Sequence, residues 1–146
     1  MNATPRTRLL AAYGSLRRGL AGYKKMDRER TLRYLGPCLI AGRLFDLSSY
    51  PGLVDGPGEV VGELFELRND IALKRLDRFE GHDVRNPAES LFVRALVRLI
   101  EPDIDAWVYL HNRPGPKDRP VASGDWVLYR RLQARRRRGR GKPPLP

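Results

Sequence analysis

The sequence is poor in the side chains that most often carry covalent or metal chemistry. It holds one cysteine and two histidines in 146 residues. A lone Cys38 excludes an intrachain disulfide and any cysteine-cluster metal site, and it reads as a small buried apolar residue. His82 and His111 are isolated and show no metal-ligand spacing, so no metal site is expected. Long apolar runs are missing as well, since none approaches the ~18 residues that a membrane-spanning helix needs. The opening stretch MNATPRTRLLAAYG carries charge and too short an apolar run for a signal peptide. These absences predict a cytoplasmic protein without membrane contact. Ser15 has no histidine that the sequence places beside it, which argues against a serine nucleophile.

Acidic residues also run out. From Arg130 onward there are eight basic residues and no acid, so the net charge of +11 falls to +3 for residues 1–129. The body is mildly basic and the excess sits in a tail. The tail, ARRRRGRGKPPLP, is self-repelling and low in complexity, and is expected to be disordered. Clustered arginines bind phosphate without reading sequence, so non-specific contact with RNA or another polyanion is one reading, and a merely solvated tail is the other. The division expected is a single domain over 1–130 and a basic, disordered tail over 131–146.

What is present is enough for one core: 41% of the residues are hydrophobic. Residues 8–13, RLLAAY, read as a strand that feeds the glycine turn GSLRRG. Residues 21–35 look helical in part. CLIAGRLFDL (38–47) and EVVGELFEL (59–67) read as strands bent at internal glycines, as in a curled sheet or barrel. The intervening SSYPGLVDGPG is expected to be a loop. LFVRALVRLI (91–100) alternates, with Leu91, Val93, Ala95, Val97 and Leu99 on one face and Arg94 and Arg98 on the other. IDAWVYLH (104–111) is a further strand, and Ser123 or Asp125 caps a final short helix. About five strands with two or three helices, not strictly alternating, predict an α+β fold. Trp107 and Trp126 read as core.

One segment breaks its own pattern. IALKRLDRFEG (71–81) reads as an amphipathic helix, capped by Asn69 or Asp70 and closed by Gly81. Leu73, Leu76 and Glu80 share its apolar face. A carboxylate on that stripe either swings out to water, or pairs with Arg94 or Arg98, or serves as a general acid and base in a partly apolar pocket. The turn YGSLRRG (13–19) is the second candidate, because a glycine turn after a strand presents backbone N–H groups to an anion. It is not a phosphate loop, for no Gly-Lys-Ser/Thr follows, and it is not a dinucleotide fingerprint. A plain surface turn is the other reading.

Seven segments stand in order: YGSLRRG, GRLFDLSSYPGL, GEVVGELFEL, LDRFEG, SLFVR, AWVYL and SGDW. Together, over about residues 8–130, they resemble the γ-glutamylcyclotransferase-like family. The likeness is to its small bacterial branch, which is similar to γ-glutamylamine cyclotransferases and plant avirulence-induced proteins. The resemblance implies a small mixed β-barrel flanked by helices. It implies a pocket between the turn, here Tyr13, Gly14, Ser15 and Leu16, and the glutamate of the Leu-Asp-x-x-Glu-Gly motif, here Glu80. It also implies a reaction that releases the amine of a small γ-glutamyl substrate and closes the glutamyl part to pyroglutamate.

In that chemistry the substrate's own α-amine attacks, so neither a cofactor nor a protein nucleophile is required. A carboxylate of near-neutral pKa would take the amine's proton and pass it to the leaving group. One departure stands out: Phe92 in SLFVR occupies a place where the family often has tyrosine, and Tyr109 in AWVYL is the nearby phenol expected to contact substrate instead. Selectivity is expected at the rim, around 50–54 and 113–120. Two alternatives from other classes remain: a catalytically silent module that binds a small carboxylate, and a nucleic-acid-associated protein acting through the arginine tail.

Overall fold

A computed structural model describes residues 7–141. Strand β1 (Leu9–Ala12) explains why RLLAAY is apolar on both faces. Ala11 packs into a core with Ile40, Val60, Leu64 and Val108. Leu10 and Ala12 pack into a second core with Met26, Phe65 and Leu76. A strand covered on both sides reads as a continuous apolar run, because the period-2 alternation places side chains in both layers.

The remaining elements are α1 (Ala21–Arg28), β2 (Leu32–Asp46), β3 (Pro51–Leu67), α2 (Ala72–Glu80), a single 3₁₀ turn (Pro87–Glu89), β4 (Phe92–Arg98), β5 (Asp105–His111), β6 (Arg119–Pro120) and α3 (Trp126–Gly141). The strands form one sheet in the order β4-β5-β1-β3-β2-β6. β1 runs parallel to β5 and the other pairs are antiparallel. The fold is α+β, and the sheet curls into a half-barrel flanked by helices. The curl comes from the long β2–β3 ribbon, whose register shifts at Tyr34/Gly36 and at Ala41/Arg43. Gly42 sits at the second shift with φ +144, and a Cβ there would fall 2.8 Å from the Val54 carbonyl. Only glycine permits that backbone and that approach.

Several expectations need correction. The stretch expected as a loop over 48–58 is mostly strand: Pro51 to Val54 pair with Asp46 to Arg43 across a turn at 47–50. Pro51 is tolerated because it opens the strand, where its missing N–H is least costly. The helix expected within 21–35 stops at Arg28, and Leu32 already begins β2. Neither Asn69 nor Asp70 caps α2; Ile71 occupies that position without a side-chain cap bond, and Asp70 pairs with Arg8 at the surface. In β4 the arginine-bearing face is the covered one at its start: Phe92 is buried and Arg94 reaches under α2. The disorder expected of the tail is replaced by helix as far as Gly141. Arginine is a good helix former and no proline intervenes before Pro143. Residues 1–6 and 142–146 lie outside the described residues. No helix among those described is long and apolar enough to cross a membrane.

Asp125 does cap α3, accepting from the Leu128 N–H at 3.2 Å. Gly81 does end α2 in the left-handed region, with φ 69 and ψ 30. The His82 N–H donates to the Asp77 carbonyl at 2.9 Å and the Gly81 N–H to that of Arg78, a Schellman closure. Gly81→Ala is therefore expected to cost ~1–2 kcal/mol of stability from the left-handed backbone alone. A Cβ would also press to 3.3 Å from that of Leu91. Urea unfolding checks this, and a loss of only a few tenths would show that the closure carries no strain.

Candidate active site

The turn after β1 and the last turn of α2 face one another across a cavity of ≈ 230 Å³. Tyr13, Gly14, Ser15 and Leu16 line one side, and Phe79 and Glu80 the other. Tyr109 and Phe92 close it from β5 and β4. All six residues singled out in the sequence, Glu80, Tyr13, Gly14, Ser15, Leu16 and Tyr109, therefore meet at one place. Tyr50, Pro51 and Leu91 form part of the lining as well. The turn is held from behind by α1, because the Tyr23 N–H donates to the Ser15 carbonyl at 3.0 Å. Its chain reverses through an Arg17 N–H bond to the Gly14 carbonyl at 2.9 Å. Among the described residues, the N–H groups of Gly14, Ser15 and Leu16 donate to no protein acceptor. Three adjacent amides without a protein acceptor, in residues that line the cavity, are available to a carboxylate or a developing oxyanion.

Glu80 neither pairs with Arg94 nor with Arg98. Arg94 is bound to Asp77 at 2.9 Å, and Arg98 lies over Asp103 and Asp105 on the surface. Among the described residues the Glu80 carboxyl has no hydrogen-bond or ion-pair partner. Burial against apolar walls, without a compensating charge, pushes its pKa up to about 7. At neutral pH both protonation states are then populated, the condition a group needs to accept a proton and return it.

The two tyrosines are positioned by internal bonds. The Tyr13 hydroxyl donates to the Tyr109 carbonyl at 2.5 Å and accepts from the Leu53 N–H at 3.2 Å, so it ties β1 to β5 and β3. Burial first, and the neighbouring Glu80 charge second, hold its pKa well above the usual phenol range. The Tyr109 hydroxyl donates to Asp77 Oδ1 at 2.7 Å. Burial raises its pKa too, followed by the bond to Asp77. Both rings wall the cavity as neutral phenols. The Tyr109 proton is committed to Asp77.

Asp77 is the residue that the sequence reading missed. It is 8% exposed and takes the Arg94 Nε at 2.9 Å and Nη2 at 3.3 Å besides the Tyr109 hydroxyl. Arg94 in turn stacks over Trp107 at 4.5 Å. The signal was available, because Asp77 lies one turn before Glu80 on the same helical face. At Phe92, where a hydroxyl is absent, the ring of Tyr50 packs edge-on with centroids 5.9 Å apart, so a phenol-bearing residue stands at the rim beside it. His111 is bound to Asp118 at 3.0 Å and His82 sits near the Arg94 N–H. Among the described residues no group of histidine, cysteine and acidic side chains could hold a metal. Cys38 is buried in the barrel core, and burial pushes its thiol up to about 12, which makes it unreactive.

The family model for gamma-glutamyl cyclotransferase, AIG2-like, matches residues 10–128. The chain belongs to this family. The matched span covers β1 through the first turn of α3, and so contains every residue of the cavity. Among family relatives, the Escherichia coli K12 protein named gamma-glutamylcyclotransferase family protein YtfP is 33% identical over 87 residues, 58% of this chain and 67% of its own. A Vibrio cholerae relative is 28% identical over 118 residues, 81% of this chain and 94% of its own. The solution structure of the Escherichia coli protein ytfP superposes with a TM-score of 0.59 at 28% identity, covering 84% of this chain and 98% of that one. An AIG2-like protein of Mus musculus superposes at 0.60 with 23% identity, covering 77% and 82%, and shares the fold.

Proposed function

We propose that the protein is a γ-glutamylcyclotransferase-type enzyme, cyclising the glutamyl part of a small γ-glutamyl amide to pyroglutamate with release of an amine. The observation that carries this reading is the unpaired Glu80 carboxyl, of pKa about 7, lining one cavity of ≈ 230 Å³ together with three residues whose amides have no protein acceptor. That volume suits a glutamyl group and not a large ligand. The amides of residues 14–16 hold the substrate's α-carboxylate or the carbonyl oxygen as it gains charge. Walls formed by Phe79, Phe92 and Tyr109 keep the glutamyl chain bent, with amine and γ-carbonyl within attacking distance.

The α-amine nitrogen then bonds to the γ-carbonyl carbon, and Glu80 takes the proton that the nitrogen sheds. As the tetrahedral centre collapses, the original amide C–N bond breaks and the same proton passes from Glu80 to the departing nitrogen. Atoms and protons balance without a metal, a redox partner or water. The test is pyroglutamate release, followed by mass spectrometry, from a panel of γ-glutamyl amides. Release from at least one member is the expected result. Silence across the panel from protein shown to be folded, with binding of glutamate-like ligands retained, would instead favour a small-carboxylate-binding module.

A further inference from the structure

The helix α3 carries charge that no carboxylate among the described residues balances. A depression of ≈ 800 Å³ lies between this helix and the chain at residues 18–21. Arg18, Arg130, Arg131, Arg135 and Arg138 line it, and no acidic residue does. Glu63 offsets Arg18 at 3.7 Å, which leaves four cations without a carboxylate partner among the described residues. Arg130 is held by neutral groups: it donates to Gln133 Oε1 at 3.2 Å and lies 5.3 Å from the ring centre of Trp126.

Helix geometry puts these cations in order. Arg131, Arg135 and Arg138 follow at spacings of four and three, so they form a row about 10 Å long on one face of α3. Arg135, Arg136, Arg137 and Arg138 are consecutive, and at about 100° per residue they surround the helix on every side. All four are exposed. Like charges three and four apart on a helix repel, and a bound polyanion removes that repulsion. The base of the row is fixed. Arg17 Nη1 donates at 2.8 Å to Asp125 Oδ1 at the cap of α3, and the Tyr129 hydroxyl donates at 2.6 Å to Oδ2 of the buried Asp46. Between the arginines the groove is lined by small residues, Gly19, Ala21 and Ala134, which let a chain of phosphates come close.

We propose that this groove is a binding site for single-stranded nucleic acid, gripped through its phosphates without a reading of its bases. Arginine forks pair with phosphate oxygens. A positively charged groove that tracks the backbone is a recurring way to hold a single strand. The aromatic side chain in the lining, Trp126, is 4% exposed and lies under Arg130, so it offers no face on which a base could stack. Binding through phosphates alone tolerates any sequence. An anionic membrane surface fits less well. A helix that lies in a membrane interface needs a broad apolar face, and the large exposed apolar residues of α3 are Leu128 and Leu132 alone. The site is independent of the reaction proposed above, since none of these arginines lines the cavity.

Fluorescence anisotropy with the full chain tests this, using short labelled strands of mixed sequence, one of RNA and one of DNA. Four arginine–phosphate contacts predict that log K falls against log salt with a slope of about −3, so that binding weakens about fifty-fold from 50 to 200 mM salt. Arg131→Gln/Arg135→Gln/Arg138→Gln leaves one contact and is expected to bring the slope to about −1. Arg131→Lys/Arg135→Lys/Arg138→Lys keeps the charges and should keep the slope. A charge-matched control, Lys74→Gln/Arg78→Gln/Arg85→Gln, removes three exposed cations elsewhere and should bind as the parent does. Every substituted position is exposed, so the variants should fold, and circular dichroism checks that they do. Binding of either strand supports the site, and the tighter one names its source. A slope near zero overturns the proposal. So does an equal loss in the control, because net charge alone would then hold the strand. Flotation with phosphatidylglycerol vesicles that the glutamine triple variant loses, while its strand binding is unchanged, would assign the row to a membrane surface and overturn it as well.

Discussion

Glu80→Gln is expected to lower kcat for pyroglutamate release by ~10²–10⁴, the range over which a positioned acid and base contributes. Glutamine matches the protonated acid in shape but accepts no proton at neutral pH. The Glu80 carboxyl makes no bond that glutamine would break, so the variant should fold. In the parent, kcat/KM should rise with pH and level off near pH 7, where Glu80 becomes ionised; that limb should vanish in the variant. Stability should move the other way. A carboxyl whose folded pKa lies above its unfolded one favours the fold below about 4.5, and this contribution is lost as pH rises to about 7. Above pH 7 the buried charge is a net cost to the parent, and Glu80→Gln is expected to be the more stable protein by on the order of 2 kcal/mol, with the two nearly equal at pH 4.5. Circular dichroism melts across pH measure this beside the kinetics. Unchanged turnover would remove Glu80 from the mechanism. A variant less stable at pH 8 would mean that the carboxylate has a partner in the fold.

The second large effect lies at Asp77. Asp77→Ala is expected to destabilise the fold by ~3 kcal/mol, because it leaves the Arg94 guanidinium, 16% exposed, without its counter-charge. It also strands the Tyr109 hydroxyl, in a residue only 3% exposed. The stacking of Arg94 on Trp107 persists and limits the loss. Asp77→Asn retains an acceptor for Tyr109 and should fall between the two. Chemical unfolding gives the order, parent then Asn then Ala. A function-specific readout accompanies it: Tyr109 walls the cavity, and a ring released from Asp77 should raise KM more than it lowers kcat. A loss below 1 kcal/mol for Asp77→Ala would place the pair among surface ion pairs of little consequence.

Much of this was legible in the chain. A helix with a carboxylate on its apolar stripe is readable because 3.6-residue periodicity is local, and the αL stop at Gly81 is a local rule as well. The glycine turn after an apolar run was readable for the same reason. The errors share a cause. The stretch 48–58 has the composition of a loop, yet β2 supplies backbone partners from 43–46 that no local pattern announces. The alternation separates Arg94 from the apolar face of Leu91 to Leu99 without saying what covers it, and only the arrival of Asp77 from α2 makes its coverage favourable. The tail composition suggested disorder, while arginine's helix propensity and a start anchored by Asp125 and Trp126 carry the helix on.

Local order along the chain was thus enough for the α+β class and for singling out Glu80 and the glycine turn at 13–19, while the pocket between them came from the resemblance to the family. The raised pKa of Glu80 and the commitment of Tyr109 to Asp77 were decided by tertiary structure alone. Each depends on which groups from distant segments share a low-dielectric space, and electrostatic energy there follows distance and burial, which sequence separation does not encode.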